Sequence, residues 1–146
     1  MTKFLTSTLC FLFFSSLIAD IKKVEIQNTT SPLMIHRNFN PAMGLNLQST
    51  EDDKLLEVTL KLAVKNPKTI KEIAIYRSLL DKNGKAQIQN KDPKEKLGSI
   101  SGNRIKKGKC VIKCKGSLKE GNNYLWLSIT PSEKASLKKT IKVSVT

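Results

Sequence analysis

From Leu56 to Val64 the chain reads LEVTLKLAV, with Leu56, Val58, Leu60, Leu62 and Val64 on one parity and Glu57, Thr59, Lys61 and Ala63 on the other. Successive side chains of an extended strand point to opposite faces, so this segment buries its aliphatic set on one side only as a β-strand. A helix would scatter the same five residues around its circumference. Asn66-Pro67-Lys68 closes the strand, because proline cannot donate to a central ladder.

The same period recurs downstream. Ile73 and Ile75 share a face in a strand expected over Lys71 to Ser78, and Asp81-Lys82-Asn83-Gly84 is a hairpin signal leading to a return strand at Lys85 to Gln89. Asn90 to Lys96 is charged and holds a proline, which predicts an exposed loop; a short strand at Leu97 to Ile100 and a turn at Ser101-Gly102-Asn103 follow. Lys109 to Lys115 places Cys110, Ile112 and Cys114 on one side, and Gly116 with Gly121-Asn122-Asn123 is expected to mark the next connection. Tyr124 to Thr130 is apolar on both faces, as suits a central strand. Pro131 to Lys138 predicts a polar crossing with a helical turn at Ser132 to Ala135, and Ile141, Val143 and Val145 alternate in a last strand. Before Leu56, Val24, Ile26 and Asn28 share a parity, Leu33 to His36 is a further apolar piece, and Ala42-Met43-Gly44-Leu45 reads as an irregular connection. About eight short strands with almost no helical period predict an all-β fold, an antiparallel β-sandwich of jelly-roll or Ig-like type. Val58, Leu60, Leu62, Tyr124, Leu125, Trp126 and Leu127 are its expected core, and the indole N–H of Trp126 would then need a partner.

The start of the chain follows another logic. Met1-Thr2-Lys3 is positive, Phe4 to Ile18 carries no charge, and Ala19-Asp20 ends the run. That order describes a secretory signal peptide over residues 1–19, and the run is shorter than the roughly 20 apolar residues that span a bilayer. Residues 20–146 then form a single domain that is exported, whether periplasmic, cell-surface or secreted, and meets the membrane only through its leader. Loss of Lys3 takes the formal charge from +14 to +13. Apart from Arg37, Arg77 and Arg104 the remaining basic residues are lysines, spread from Lys22 to Lys142. Nucleic-acid readers favour arginine forks and stacked aromatics, so the pattern argues against that partner.

Cys110 and Cys114 remain once Cys10 leaves with the leader. Four residues apart on one strand, their Cα atoms would lie roughly 13 Å from each other, too far for a disulfide. With His36 the only histidine, four metal ligands are not at hand. There is no Gly-x-Ser-x-Gly elbow, glycine-rich phosphate loop or HExxH, and the acidic cluster Glu51-Asp52-Asp53 reads as solvated. No catalytic residue, metal site or cofactor is therefore expected. Tyr76 and Arg77 are the candidate binding residues, Tyr76 lying on the face opposite Ile73 and Ile75.

Leu118-Lys119-Glu120-Gly121-Asn122-Asn123-Tyr124-Leu125-Trp126-Leu127-Ser128 resembles the Gly-x-Asn-x-x-Trp-x-Ser stretch in the N-terminal accessory domain of exported bacterial sialidases (BNR-repeat neuraminidases). Ile70 to Tyr76 is similar to that family's strand before a short insertion, and the likeness runs from about Val24 to Val145. The resemblance implies a carbohydrate-binding-like β-sandwich that accompanies a six-bladed catalytic propeller cleaving terminal sialic acid. The catalytic motifs of that propeller are absent, so no catalytic residue carries over. The resulting expectation is a non-catalytic accessory domain of sialidase type, stand-alone or truncated, that contacts glycans or a sialidase catalytic domain. The alternative from the lysine excess is an exported basic structural or adhesion protein on anionic surfaces.

Overall fold

The computed structural model describes residues 21–28, 33–34, 37–63, 66–78, 95–135 and 142–145. The proposed leader, His36, Val64, the hairpin expected at 81–89 and most of the loop at 90–96 lie outside the described residues. The described residues form eight strands in chain order: β1 Ile21–Asn28, β2 Pro41–Ser49, β3 Asp53–Ala63, β4 Ile70–Arg77, β5 Lys96–Ser101, β6 Lys109–Leu118, β7 Gly121–Pro131 and β8 Lys142–Val145. Among the described residues the only helical turns are of the tight three-residue kind, at Pro67–Thr69 and Gly102–Arg104. Ser132 to Ala135 forms one turn, closed where the Ala135 N–H donates to the Ser132 carbonyl at 2.9 Å.

The strands make two antiparallel sheets, one ordered β1-β2-β7-β4-β5 and the other β6-β3-β8. One apolar cluster draws on both. Met43, Leu45, Ile73, Ile75, Leu125, Leu127 and Ile129 enter it from the wider sheet, and Leu55, Val58, Leu60, Leu62, Cys110, Ile112 and Cys114 from the narrower one. Alternation produces this directly: β6 buries Cys110, Ile112 and Cys114 and exposes the residues between them. Fully burying such a side chain contributes about 1.5–3 kcal/mol, and truncating one, as in Ile112→Ala, costs about 2–5 kcal/mol.

Several expectations are corrected by the pairing. Ala42 to Leu45 is no irregular connection but part of β2. Its Met43, Leu45 and Leu47 are buried with period two, and Gly44, which lowers strand propensity, obscured it. Gly116 and Gly121 to Asn123 lie inside β6 and β7, which leaves Lys119-Glu120 as the whole connection. Leu56 is not on the buried face with Val58; it is 71% exposed. The register of β3 against β6 shifts there, Leu55 opposing Gly116 and Glu57 opposing Lys113. Leu56 thus faces two residues of β6, and the parity of β3 reverses across it, so Leu55 and Val58 both point inward.

The wider sheet overhangs the narrower one. Val24 and Ile26 pair with Leu47 and Leu45 and so share their face. Yet they stay 46% and 47% exposed, on the strand that forms one edge of the wider sheet among the described residues.

Candidate functional site

The stretch that carries the family resemblance is the start and middle of β7, and each of its marked residues has a partner. Gly121 has φ +92°, a left-handed conformation that a side chain would strain, and it lets the chain reverse from β6 after two residues. The buried Asn123 then locks that reversal. Its Oδ1 accepts from the Lys119 N–H at 2.8 Å, and its Nδ2 donates to the carbonyls of Lys119 at 2.7 Å, Gly121 at 3.2 Å and Leu47 at 3.4 Å. From outside, Asp52 adds a second clamp, accepting from Lys119 Nζ at 2.6 Å and the Glu120 N–H at 2.9 Å. Those two bonds, the Lys119 ammonium first, hold the Asp52 carboxyl below its ordinary range. One member of the acidic cluster is therefore a structural acceptor.

Leu125 and Leu127 point between the sheets, so Trp126 and Ser128 point to the other face of β7. Trp126 is buried, but it does not fill the space between the two sheets as expected. It forms a second small cluster with Phe39, Ala74 and Tyr76 on the outer face of the wider sheet. Its six-membered ring lies over Gly44 on β2, where a Cβ would stand 3.1 Å from Cη2 and Cζ3. The indole N–H finds its partner in Ser78 Oγ at 3.1 Å. Phe39 closes the cluster, meeting Tyr76 edge-on at 5.3 Å and 84°. The flap that carries Phe39 is stitched to β7: the Asn40 N–H donates to Ser128 Oγ at 2.9 Å, and the Ile129 N–H donates to the Asn40 carbonyl at 3.1 Å. Asn40 in turn fastens the preceding chain through Met34 and Arg37.

The candidate binding pair is placed less favourably than its sequence position suggests. Tyr76 does lie opposite Ile73 and Ile75, but it is 8% exposed beneath Phe39 and offers no open ring. Arg77 donates from Nε to Glu95 at 2.8 Å and from Nη2 to the Ser117 carbonyl at 2.7 Å, so its guanidinium ties β4 to the end of β6. Tyr124, expected in the core, is half-buried on the outer face next to Asn46. Beside Tyr76, Lys96 bridges to Glu72 at 2.9 Å and lies 5.7 Å from the Tyr76 ring centroid. Burial would raise the Glu72 carboxyl, but hydrogen bonds from Lys96 and Ser99 with the nearby lysine charges bring it below its ordinary value.

A shallow groove of about 370 Å³ is lined by the polar residues Lys22, Gln48, Ser49, Thr50 and Glu120, with Gly121. Among the described residues no group of three or more His, Cys, Asp or Glu is placed to hold a metal. Cys110 and Cys114 are unbridged and buried, and burial pushes the Cys110 thiol up to about 11 and the Cys114 thiol in the same direction. Neither is a nucleophile in this setting.

Gly121, Asn123, Trp126 and Ser128 thus form one structural constellation, and a family model covers it. The model of the N-terminal domain of BNR-repeat neuraminidase matches residues 21–146. The chain belongs to this family. No curated protein matches it. In this neuraminidase N-terminal domain the marked β7 residues secure the turn, the flap and the outer cluster. Reasoning from sequence missed their partners Gly44, Asn40 and Ser78, which lie 48 to 88 positions away along the chain where a bond is present.

Proposed function

We propose that the chain is an exported, non-catalytic accessory β-sandwich of the sialidase type whose partner is a sialidase catalytic propeller rather than a free sugar. The observation that carries this reading is the use of the β7 residues: all four serve packing or backbone hydrogen bonds, and Tyr76 and Trp126, the aromatics a sugar platform would need, are covered. Membership in a neuraminidase N-terminal family supports a propeller as the partner. The overhanging strand β1 supplies a docking edge, because Ile21, Val24 and Ile26 are each more than two-fifths exposed on one strand.

The test is titration of the chain from Asp20 onward against the catalytic domain of a BNR-repeat neuraminidase by calorimetry, beside a glycan array. Saturable binding that weakens at least tenfold in a Val24→Asp, Ile26→Asp variant is expected. Selective retention on sialylated or galactosylated glycans with no propeller binding would replace the partner, and turnover of a fluorogenic sialoside by the chain alone would end the non-catalytic reading.

A further inference from the structure

The outer face of the three-stranded sheet has a composition that folding does not ask for. Lys54 and Lys61 on β3 and Lys109, Lys113 and Lys115 on β6 are all exposed there. Glu57, opposite Lys113, is the carboxylate of this paired surface. The ion pairs Lys23–Glu25, Arg77–Glu95, Lys96–Glu72 and Lys119–Asp52 involve none of these five lysines. Lys61 stands directly opposite Lys109, a like-charge pairing that weakens a sheet. On the same face are two exposed aliphatics, Leu56 at 71% and Val111 at 38%. Leu56 is outward only because the β3–β6 register shifts at that residue; such shifts commonly re-aim a side chain for use.

An apolar peg within a field of lysines that are unpaired among the described residues fits a specific chemistry. Lysine is a compact point charge that suits a diffuse anionic surface better than bidentate recognition of one group. A glycan acid would call for aromatic or amide partners, and the outward side chains of β3 and β6 are lysines, aliphatics, Thr59, Ser117 and Glu57. We propose that the outer face of the three-stranded sheet docks on an anionic phospholipid bilayer, with Leu56 and Val111 entering the headgroup region and the five lysines meeting its charge. The membrane contact then outlasts export, contrary to the expectation that only the leader meets the lipid. It does not depend on the propeller reading, since it uses a different sheet from β1.

Flotation with vesicles tests it, using the chain from Asp20 on, which contains every described element. Binding to mixed phosphatidylglycerol and phosphatidylcholine vesicles is expected, with none to phosphatidylcholine alone and loss as salt rises and the screening length shrinks. Each surface lysine is worth about fivefold in partitioning, so Lys109→Gln with Lys113→Gln weakens binding about 25-fold. Leu56→Ser weakens it about fivefold. Lys23→Gln with Lys96→Gln removes the same charge from the other sheet and is expected to change binding less than threefold. Equal losses in the two double variants would reduce the effect to net charge and overturn the proposal. So would equal binding to neutral vesicles, no binding to either, or a Leu56→Ser protein that binds heparin and vesicles as well as its parent.

Discussion

The contact between Trp126 and Gly44 can be tested as a double-mutant cycle. An alanine Cβ at position 44 would stand 3.1 Å from two carbons of the indole, inside the ordinary carbon separation of about 3.5–4.0 Å. Overpacking of this kind costs about 1–3 kcal/mol, so Gly44→Ala alone is expected to destabilise by about 2 kcal/mol. Trp126→Phe removes Cη2 and Cζ3 and also the hydrogen bond to Ser78 at 3.1 Å, for a loss of about 2–3 kcal/mol. In that background the space over residue 44 opens, and alanine gains about 0.5–1 kcal/mol over glycine in a strand. The coupling is therefore about 2.5 kcal/mol in favour of the double variant. Urea unfolding followed by circular dichroism measures it, since the single tryptophan is lost from two of the four proteins. Equal effects of Gly44→Ala in both backgrounds, within about 0.5 kcal/mol, would refute the packing of the indole on β2.

Asn123→Ala removes the lock on the β6–β7 reversal and is expected to cost about 2–3 kcal/mol in urea, with Asn123→Asp recovering only the part owed to the Lys119 N–H. Glu72 is held below its ordinary 4.5, so the unfolded chain binds the proton first. The stability it contributes is present above that value and drains away as pH falls through the folded pKa. Glu72→Gln should flatten this part of a pH-dependent melt, by about 0.2–1 kcal/mol at neutral pH for a half-exposed pair. In a Cys10→Ser background a thiol reagent should label Cys110 and Cys114 only on unfolding; native labelling at the rate of free cysteine would contradict their burial.

Strands β3, β4, β6 and β8 were legible in sequence because alternation is written in neighbouring residues, and Cys110, Ile112 and Cys114 show it without distortion; β7 was legible as a short apolar run. Strand β2 was not, because Gly44 is explained only by an indole from β7 that covers it. Leu56 could not be placed either, since a register shift belongs to a pair of strands and leaves no mark on one of them. The side of the sheet taken by Trp126 was likewise hidden, because β7 is apolar on both faces and alternation does not say which face meets the second sheet. Among the site residues, Tyr76 was assigned its correct face, but the flap that buries it arrives from Phe39, far upstream. The Gly-x-Asn-x-x-Trp-x-Ser pattern was visible as a likeness; its meaning needed the hydrogen bonds.

Because the lone indole sits beneath the Phe39 flap and outside the inter-sheet cluster, its emission is a gauge of that flap. Light from this protein would redden as soon as residues 37–40 lift, while both sheets still hold their ellipticity. Any gap between the two signals would therefore time the release of the clamp against the melting of the body it covers.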